Sequence, residues 1–351
     1  MDYVNYKHRI LVVGGTGFIG HHLLKETVRR GWSCTSVSLN PPIQHRKIAK
    51  VNYVFADVTN KSELKSKIDD DYDYVVNLGG YPDHNLLNEG GDKIINNHFA
   101  AVINLVSAIS RKKLKRFVQI GSSDEYGKAQ EPQTETTREQ PISPYSIAKV
   151  ASTHFIQMLH RSEQFPGVTL RPFLIYGPGQ DEKRFIPQVI KGCLSESPFP
   201  TSEGRQLRDF CHVNDAVEAI MLAMLSDDSN GNIFNVGSGV PITIRSVVEK
   251  ITNIINKGKP LFGEVSFRPG ENMNLYANFD SIHKVLKWKP TVNFDTGIRG
   301  VIDWYKKILG FVVLIMNIHF FLLWRARNKG WHYYFMRFFI IGTHISKLIN
   351  S

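Results

Sequence analysis

Tyr145 and Lys149 stand four residues apart in a stretch of helical periodicity, so both fall on one helix face. A phenol beside an ammonium is an acid/base pair, because the cation favours phenolate and is expected to lower the tyrosine's pKa toward the working range. The spacing alone is common. Ser122 adds to it a hydroxyl that can hold a substrate oxygen, placed just after the apolar run Phe117–Ile120. These three are the candidate catalytic residues.

A second group of residues points to a dinucleotide. Gly14-Gly15-Thr16-Gly17-Phe18-Ile19-Gly20 directly follows the strand-like run Ile10–Val13 and opens a helix. Gly14, Gly17 and Gly20 permit a tight turn and close backbone approach, so the helix-start amides around Phe18 and Ile19 and the helix dipole would meet a pyrophosphate. NAD-specific folds commonly end the second strand in a carboxylate that binds the ribose 2′-hydroxyl. Here the run Cys34–Val37 ends in Ser38, Leu39 and Asn40, with His45, Arg46 and Lys47 a few residues on. NADP(H) is therefore favoured over NAD(H), with Arg46 the candidate for the 2′-phosphate. Asp57 follows the third strand and reads at least as a cap on the turn into Thr59-Asn60.

The elements that must position these groups are legible in outline. Apolar runs at Ile10–Val13, Tyr53–Ala56, Tyr74–Leu78, Phe117–Ile120 and Val168–Leu170 alternate with helices expected over Gly20–Arg30, Lys93–Arg111 and Ser146–His160. That alternation predicts an α/β fold, a Rossmann-type doubly wound parallel sheet. Residues 1–175 form its dinucleotide-binding domain, and 205–240, with the strand Ile233–Val236, return to it. Residues 176–204 and 241–308 are read as a smaller substrate-binding domain; from about Tyr176 onward helices are expected near Arg184–Gly192, Asp215–Leu225 and Thr243–Asn256. Asp215 and Glu218 read as a capping box opening the second of these.

The chain has 351 residues, 42% of them hydrophobic, and a formal net charge of +11. No acidic residue follows Asp303, whereas seven lysines and arginines do, so the tail carries most of that excess. Residues 309–351 are apolar, aromatic and basic, a pattern suited to lying at a membrane surface; packing as a helical hairpin is the alternative. The basic residues lie in an apolar tail rather than on a polar reading face, which argues against nucleic acid. Cys34, Cys193 and Cys211 are few and far apart, with no metal-ligand spacing, and Met1–Arg9 lacks the apolar core of a secretion signal. A cytoplasmic protein without a structural metal is expected, at most peripheral on the membrane's inner face.

The motifs together resemble the extended short-chain dehydrogenases, the nucleotide-sugar epimerase/dehydratase family. The likeness spans roughly residues 9–307. It rests on the glycine loop, on Arg116–Gly127 around Ser122, on Ser143-Pro-Tyr-Ser-Ile-Ala-Lys149, on Arg171–Pro178, and later on Arg208–Asp215, Arg268–Glu271 and Trp288-Lys-Pro290. The resemblance implies that Ser122, Tyr145 and Lys149 are the catalytic triad and that Lys149 also holds the nicotinamide ribose. It implies further that Asp57 contacts adenine and Asn97 organises the site. Arg208 and Arg268 would grip the substrate's nucleotide and diphosphate, with a surface ion pair the alternative for each. A homodimer through the long helices is a family expectation.

Two departures sharpen this reading. The family's 4,6-dehydratases typically carry Asp-Glu after the catalytic hydroxyl, the pair that eliminates water across C5 and C6. This chain has Ser123 and Asp124 there, which disfavours a dehydratase. Leu174 stands where relatives usually have a substrate-contacting Asn. The expected activity is NADPH reduction of a nucleotide-linked 4-keto-6-deoxyhexose. An epimerase that retains NAD is the alternative, and a dinucleotide-binding protein without chemistry is a third reading.

Overall fold

The computed structural model describes residues 7–69, 71–83, 85–267 and 271–308. Seven strands make the main sheet: β1 (Arg9–Val13), β2 (Ser33–Ser38), β3 (Val51–Phe55), β4 (Tyr74–Asn77), β5 (Arg116–Ile120), β6 (Gly167–Pro172) and, later in the chain, β10 (Ile233–Val236). Between these last two come β7 (Leu174–Tyr176), β8 (Pro198–Thr201) and β9 (Leu207–His212), and after them β11 (Pro241–Thr243), β12 (Lys259–Phe262) and β13 (Asn274–Leu275). The helices are α1 (Phe18–Arg29), α2 (Lys61–Lys67), α3 (Gly91–Ile95), α4 (Ala101–Ala108), α5 (Pro144–Glu163), α6 (Phe185–Leu194), α7 (Val213–Leu225), α8 (Ile244–Ile255) and α9 (Asp280–Leu286).

All pairings in the main sheet are parallel, in the order β10-β6-β5-β4-β1-β2-β3. A parallel sheet covered on both faces reads as continuous apolar runs, and period-two alternation then assigns each residue to a face. Ile10, Val12, Tyr74, Val76, Val118 and Ile120 join the core beneath α1 and α7. Their neighbours Leu11, Val13, Val75 and Phe117 join the opposite core with Val102 and Leu105 of α4 and Ile156 and Leu159 of α5. The expected doubly wound architecture is what the chain adopts.

Strand order reverses between β1 and β4. A crevice forms there at the carboxyl ends of the strands, the place where open α/β sheets bind ligands. The return of the later chain is narrower than expected: Ile233–Val236 pairs with β6, but Leu207–His212 lies in a separate sheet with β7, β11 and β13. The capping box at Asp215 is also corrected. His212 is the N-cap of α7, its ring accepting from the Asn214 amide, whereas Asp215 sits buried in the first turn and accepts from Thr291 and Val292. Glu218 faces Arg30 at the surface instead.

Residues 1–301 form one compact unit and 302–351 a second. The tail 309–351 and its expected membrane contact lie outside the described residues. Among the described residues no helix is long and apolar enough to cross a membrane, no cluster could hold a metal ion, and all three cysteines are free and buried.

Candidate active site

Three strand ends and one helix build the site. After β1, Gly14 turns the chain at φ +78°, and Gly20 packs so closely on the loop that a Cβ there would lie 2.4 Å from the Gly14 carbonyl oxygen. Helix α1 begins at Phe18 with Gly17 as N-cap and no side chain capping its first turn. The first-turn amides, Phe18 and Ile19 among them, thus form a glycine cradle of the kind that suits a pyrophosphate, and a dinucleotide fits the residues present. Ser38 closes β2, and its hydroxyl accepts from the Thr16 amide at 3.4 Å. The Arg46 guanidinium reaches the same loop, donating to the carbonyls of Thr16 and Gly179 at 3.4 and 2.6 Å. The cation expected for the 2′-phosphate is therefore beside the loop. Asp57 serves the turn: one carboxylate oxygen accepts from the amide and the hydroxyl of Thr59 at 2.8 and 2.7 Å.

Helix α5 carries the candidate acid/base pair. Ser143 is its N-cap, accepting from the Ser146 amide, and Pro144 sits at its first position, where a missing N–H costs nothing. Tyr145 comes next and Lys149 one turn later, and the two share the buried face that leans on β5. Ser122, just past β5, hydrogen-bonds the Tyr145 phenol. The Lys149 ammonium donates to the Ile120 carbonyl at 2.8 Å and lies 5.7 Å from the Tyr145 ring centre. The structure thus brings Ser122, Tyr145 and Lys149 together at the end of β5. Ser123 is buried next to them, and the half-buried Asp124 is close enough to act on the phenol.

The family model for the NAD dependent epimerase/dehydratase family matches residues 10–237. The chain belongs to this family. A dTDP-glucose 4,6-dehydratase of Xanthomonas campestris pv. campestris (strain B100) is 28% identical over 324 residues, covering 84% of this chain and 92% of that protein. Protein CapI of Staphylococcus aureus is 25% identical over 329 residues, covering 85% and 98%. Among solved structures, MoeE5 in complex with UDP-glucuronic acid and NAD is similar with a TM-score of 0.77 at 25% identity, covering 85% of this chain and 99% of that one. UDP-glucose 4-epimerase of Thermotoga maritima, with UDP-glucose, gives a TM-score of 0.78 over 86% and 99%; at 22% identity that likeness is one of fold. This chain is an enzyme of the nucleotide-sugar epimerase/dehydratase class, as the motifs implied.

Within this family member two expectations change. Burial is the main cause that pushes the Tyr145 phenol pKa up, and the Asp124 carboxylate adds to it. The Lys149 ammonium donates to the Ile120 carbonyl, and burial lowers its own pKa to about 8. Asn97, expected to organise the site, is exposed, and the residue turned inward is His98. The cause is a π-turn, Asn96–Ala100, which joins α3 to α4. A π-turn inserts a residue into the helical register and so changes which side chain faces inward. The His98 ring stands edge-on to Tyr145 with centroids 4.9 Å apart, and its Nε2 donates to the Tyr81 carbonyl at 3.1 Å. Burial and the Lys149 charge lower its pKa to about 4, so the ring is neutral.

Arg208 is held within the smaller sheet, pairing with Glu271 at 2.8 Å and donating to the Leu207 and Met273 carbonyls. Arg268 lies outside the described residues. Sequence reasoning missed His98, hidden by the irregular turn. It also missed Arg184, whose guanidinium stacks 4.7 Å from the Tyr81 ring and favours the Tyr145 phenolate. The adjacent Pro178–Arg184 loop gave no pattern that would have singled it out.

Proposed function

We propose that this enzyme uses NADPH to reduce the 4-keto group of a nucleotide-linked 4-keto-6-deoxyhexose. The observation that carries the reading is the buried Ser123, which offers a hydroxyl where the family's dehydratases typically hold an acid. Elimination needs an acid and a base flanking C5 and C6; beside Ser123 stands Asp124, which acts on the phenol from close by, while Glu125 is committed to Arg171.

When bound, the dinucleotide would supply the hydride. Tyr145, whose burial keeps it protonated, gives its proton to the C4 oxygen as hydride arrives at C4. Ser122 donates a hydrogen bond to the same oxygen, stabilising charge where it develops. Lys149 then balances the phenolate left on Tyr145. Ser38 in place of a carboxylate, with Arg46 across the loop, supports NADPH over NADH. Arg208 and Arg268 are assigned to the diphosphate.

The test is NADPH absorbance when the purified protein meets a panel of nucleotide-linked 4-keto-6-deoxyhexoses. Stoichiometric NADPH loss with one donor is expected. No loss with any donor, together with interconversion of epimeric nucleotide sugars and no net cofactor turnover, would replace this reading by an epimerase.

A further inference from the structure

A carboxylate that the mechanism does not use lies directly beneath the triad. Glu125 is fully buried. Its Oε1 accepts from the Ser122 amide at 2.8 Å, and its Oε2 accepts from the Thr153 hydroxyl and the Arg171 guanidinium, each at 2.8 Å. Thr153 is the third residue of the stripe Tyr145, Lys149, Thr153, since residues four apart share a helix face. Arg171 belongs to β6, has no solvent exposure, and also binds Glu139 at 2.6 Å. One carboxylate therefore ties three things together: the backbone of the Ser122 loop, the helix of the acid/base pair, and the neighbouring strand.

We infer that Glu125 is a positioning residue for the reaction, clamping the Ser122 loop onto the helix face that carries Tyr145 and Lys149. This rests on the assignment of those three residues as the catalytic set. The clamp is also electrostatic. Burial disfavours the Lys149 ammonium, and the Glu125 carboxylate opposes that effect. Glu125 thereby fixes both where Ser122 stands and whether Lys149 is charged when the proton moves. The Arg171 cation, paired on both sides, keeps Glu125 from being an isolated buried charge.

The Lys149 titration can be followed without any substrate, by NMR of the full chain labelled with ε-carbon-13 lysine, a Lys149→Met variant assigning the signal. In Glu125→Gln the midpoint should fall by about one pH unit, the scale of losing an opposite charge a few ångströms away. Glu125→Asp keeps the charge but shortens the reach, so the midpoint should return most of the way. With a substrate in hand, kcat in Glu125→Asp should stay at least about tenfold below wild type with KM little changed, because misplacement acts on the transition state. An unmoved Lys149 midpoint in a folded Glu125→Gln protein would overturn the inference. Should that variant not fold, Thr153→Val loosens one arm of the clamp, and a smaller downward shift is expected; no shift there overturns it equally. Absence of turnover with every donor would count against the proposed reaction alone, since the titration does not depend on it.

Discussion

Gly80→Ala should damage both stability and catalysis, through a residue that touches no reacting atom. Gly80 follows β4 at φ +95°, and a Cβ built there would lie 2.1 Å from His98 Cε1 and 2.5 Å from its Nδ1. Real Cβ atoms do not approach that closely, so the ring must move. It cannot move freely, because Nε2 is held by the Tyr81 carbonyl and the opposite side meets Tyr145. Two costs add. An alanine on the left-handed side of the backbone map costs about 1–2 kcal/mol, and forcing an extra methyl into a packed site costs about 1–3 kcal/mol. The sum is about 2–5 kcal/mol, of which only the steric part involves His98. The assay is a double-mutant cycle by urea unfolding with Gly80→Ala, His98→Ala and both. His98→Ala in the Gly80→Ala background should recover about 1–3 kcal/mol relative to its effect alone, the steric part of that sum. Additive effects, or a Gly80→Ala protein as stable as wild type, would refute the packing argument.

Two further outcomes follow from the site. Ser38→Asp places a carboxylate beside the Thr16 amide and near Arg46, so the NADPH-to-NADH preference should fall by about tenfold or more, read as dissociation constants by fluorescence titration; an unchanged ratio would remove Ser38 and Arg46 from the cofactor reading. His98 carries a pH signature. Its folded-state pKa of about 4 lies below the unfolded value of 6.5, so the unfolded chain takes up the proton first as pH falls. Its contribution is fully present above pH 6.5 and is lost between pH 6.5 and 4, up to about 3 kcal/mol. Urea midpoints across that window should drop more steeply for wild type than for His98→Gln, and parallel curves would contradict the burial of a neutral ring.

Much of the fold was legible because a buried parallel sheet writes itself as apolar runs separated by helical periodicity. Ile10–Val13, Tyr74–Asn77 and Phe117–Ile120 need both faces covered whatever surrounds them. The glycine loop was legible for a related reason: Gly14 and Gly20 occupy positions where only glycine fits the backbone path. Tyr145, Lys149 and Ser122 were found because one helical spacing and one strand end are local facts. The domain return was read too broadly, since nothing local distinguishes β9, which joins the smaller sheet, from β10, which joins the main one.

Sequence alone thus determined the layers, the glycine loop and the placement of the candidate acid/base pair on one helix face, all of them set by short-range geometry. Tertiary structure decided their electrostatic state. Whether the Tyr145 phenol rests protonated depends on how deeply it is buried and on the Asp124 carboxylate beside it, both of which push its pKa up. Whether Asn97 or His98 faces the site depends on a π-turn and on the space left by Gly80, two features separated by sixteen residues and joined only by packing. Glu125 was read as one letter of a motif. It became the clamp of the site because Thr153 and Arg171, 28 and 46 residues away, converge on its carboxylate in the folded core.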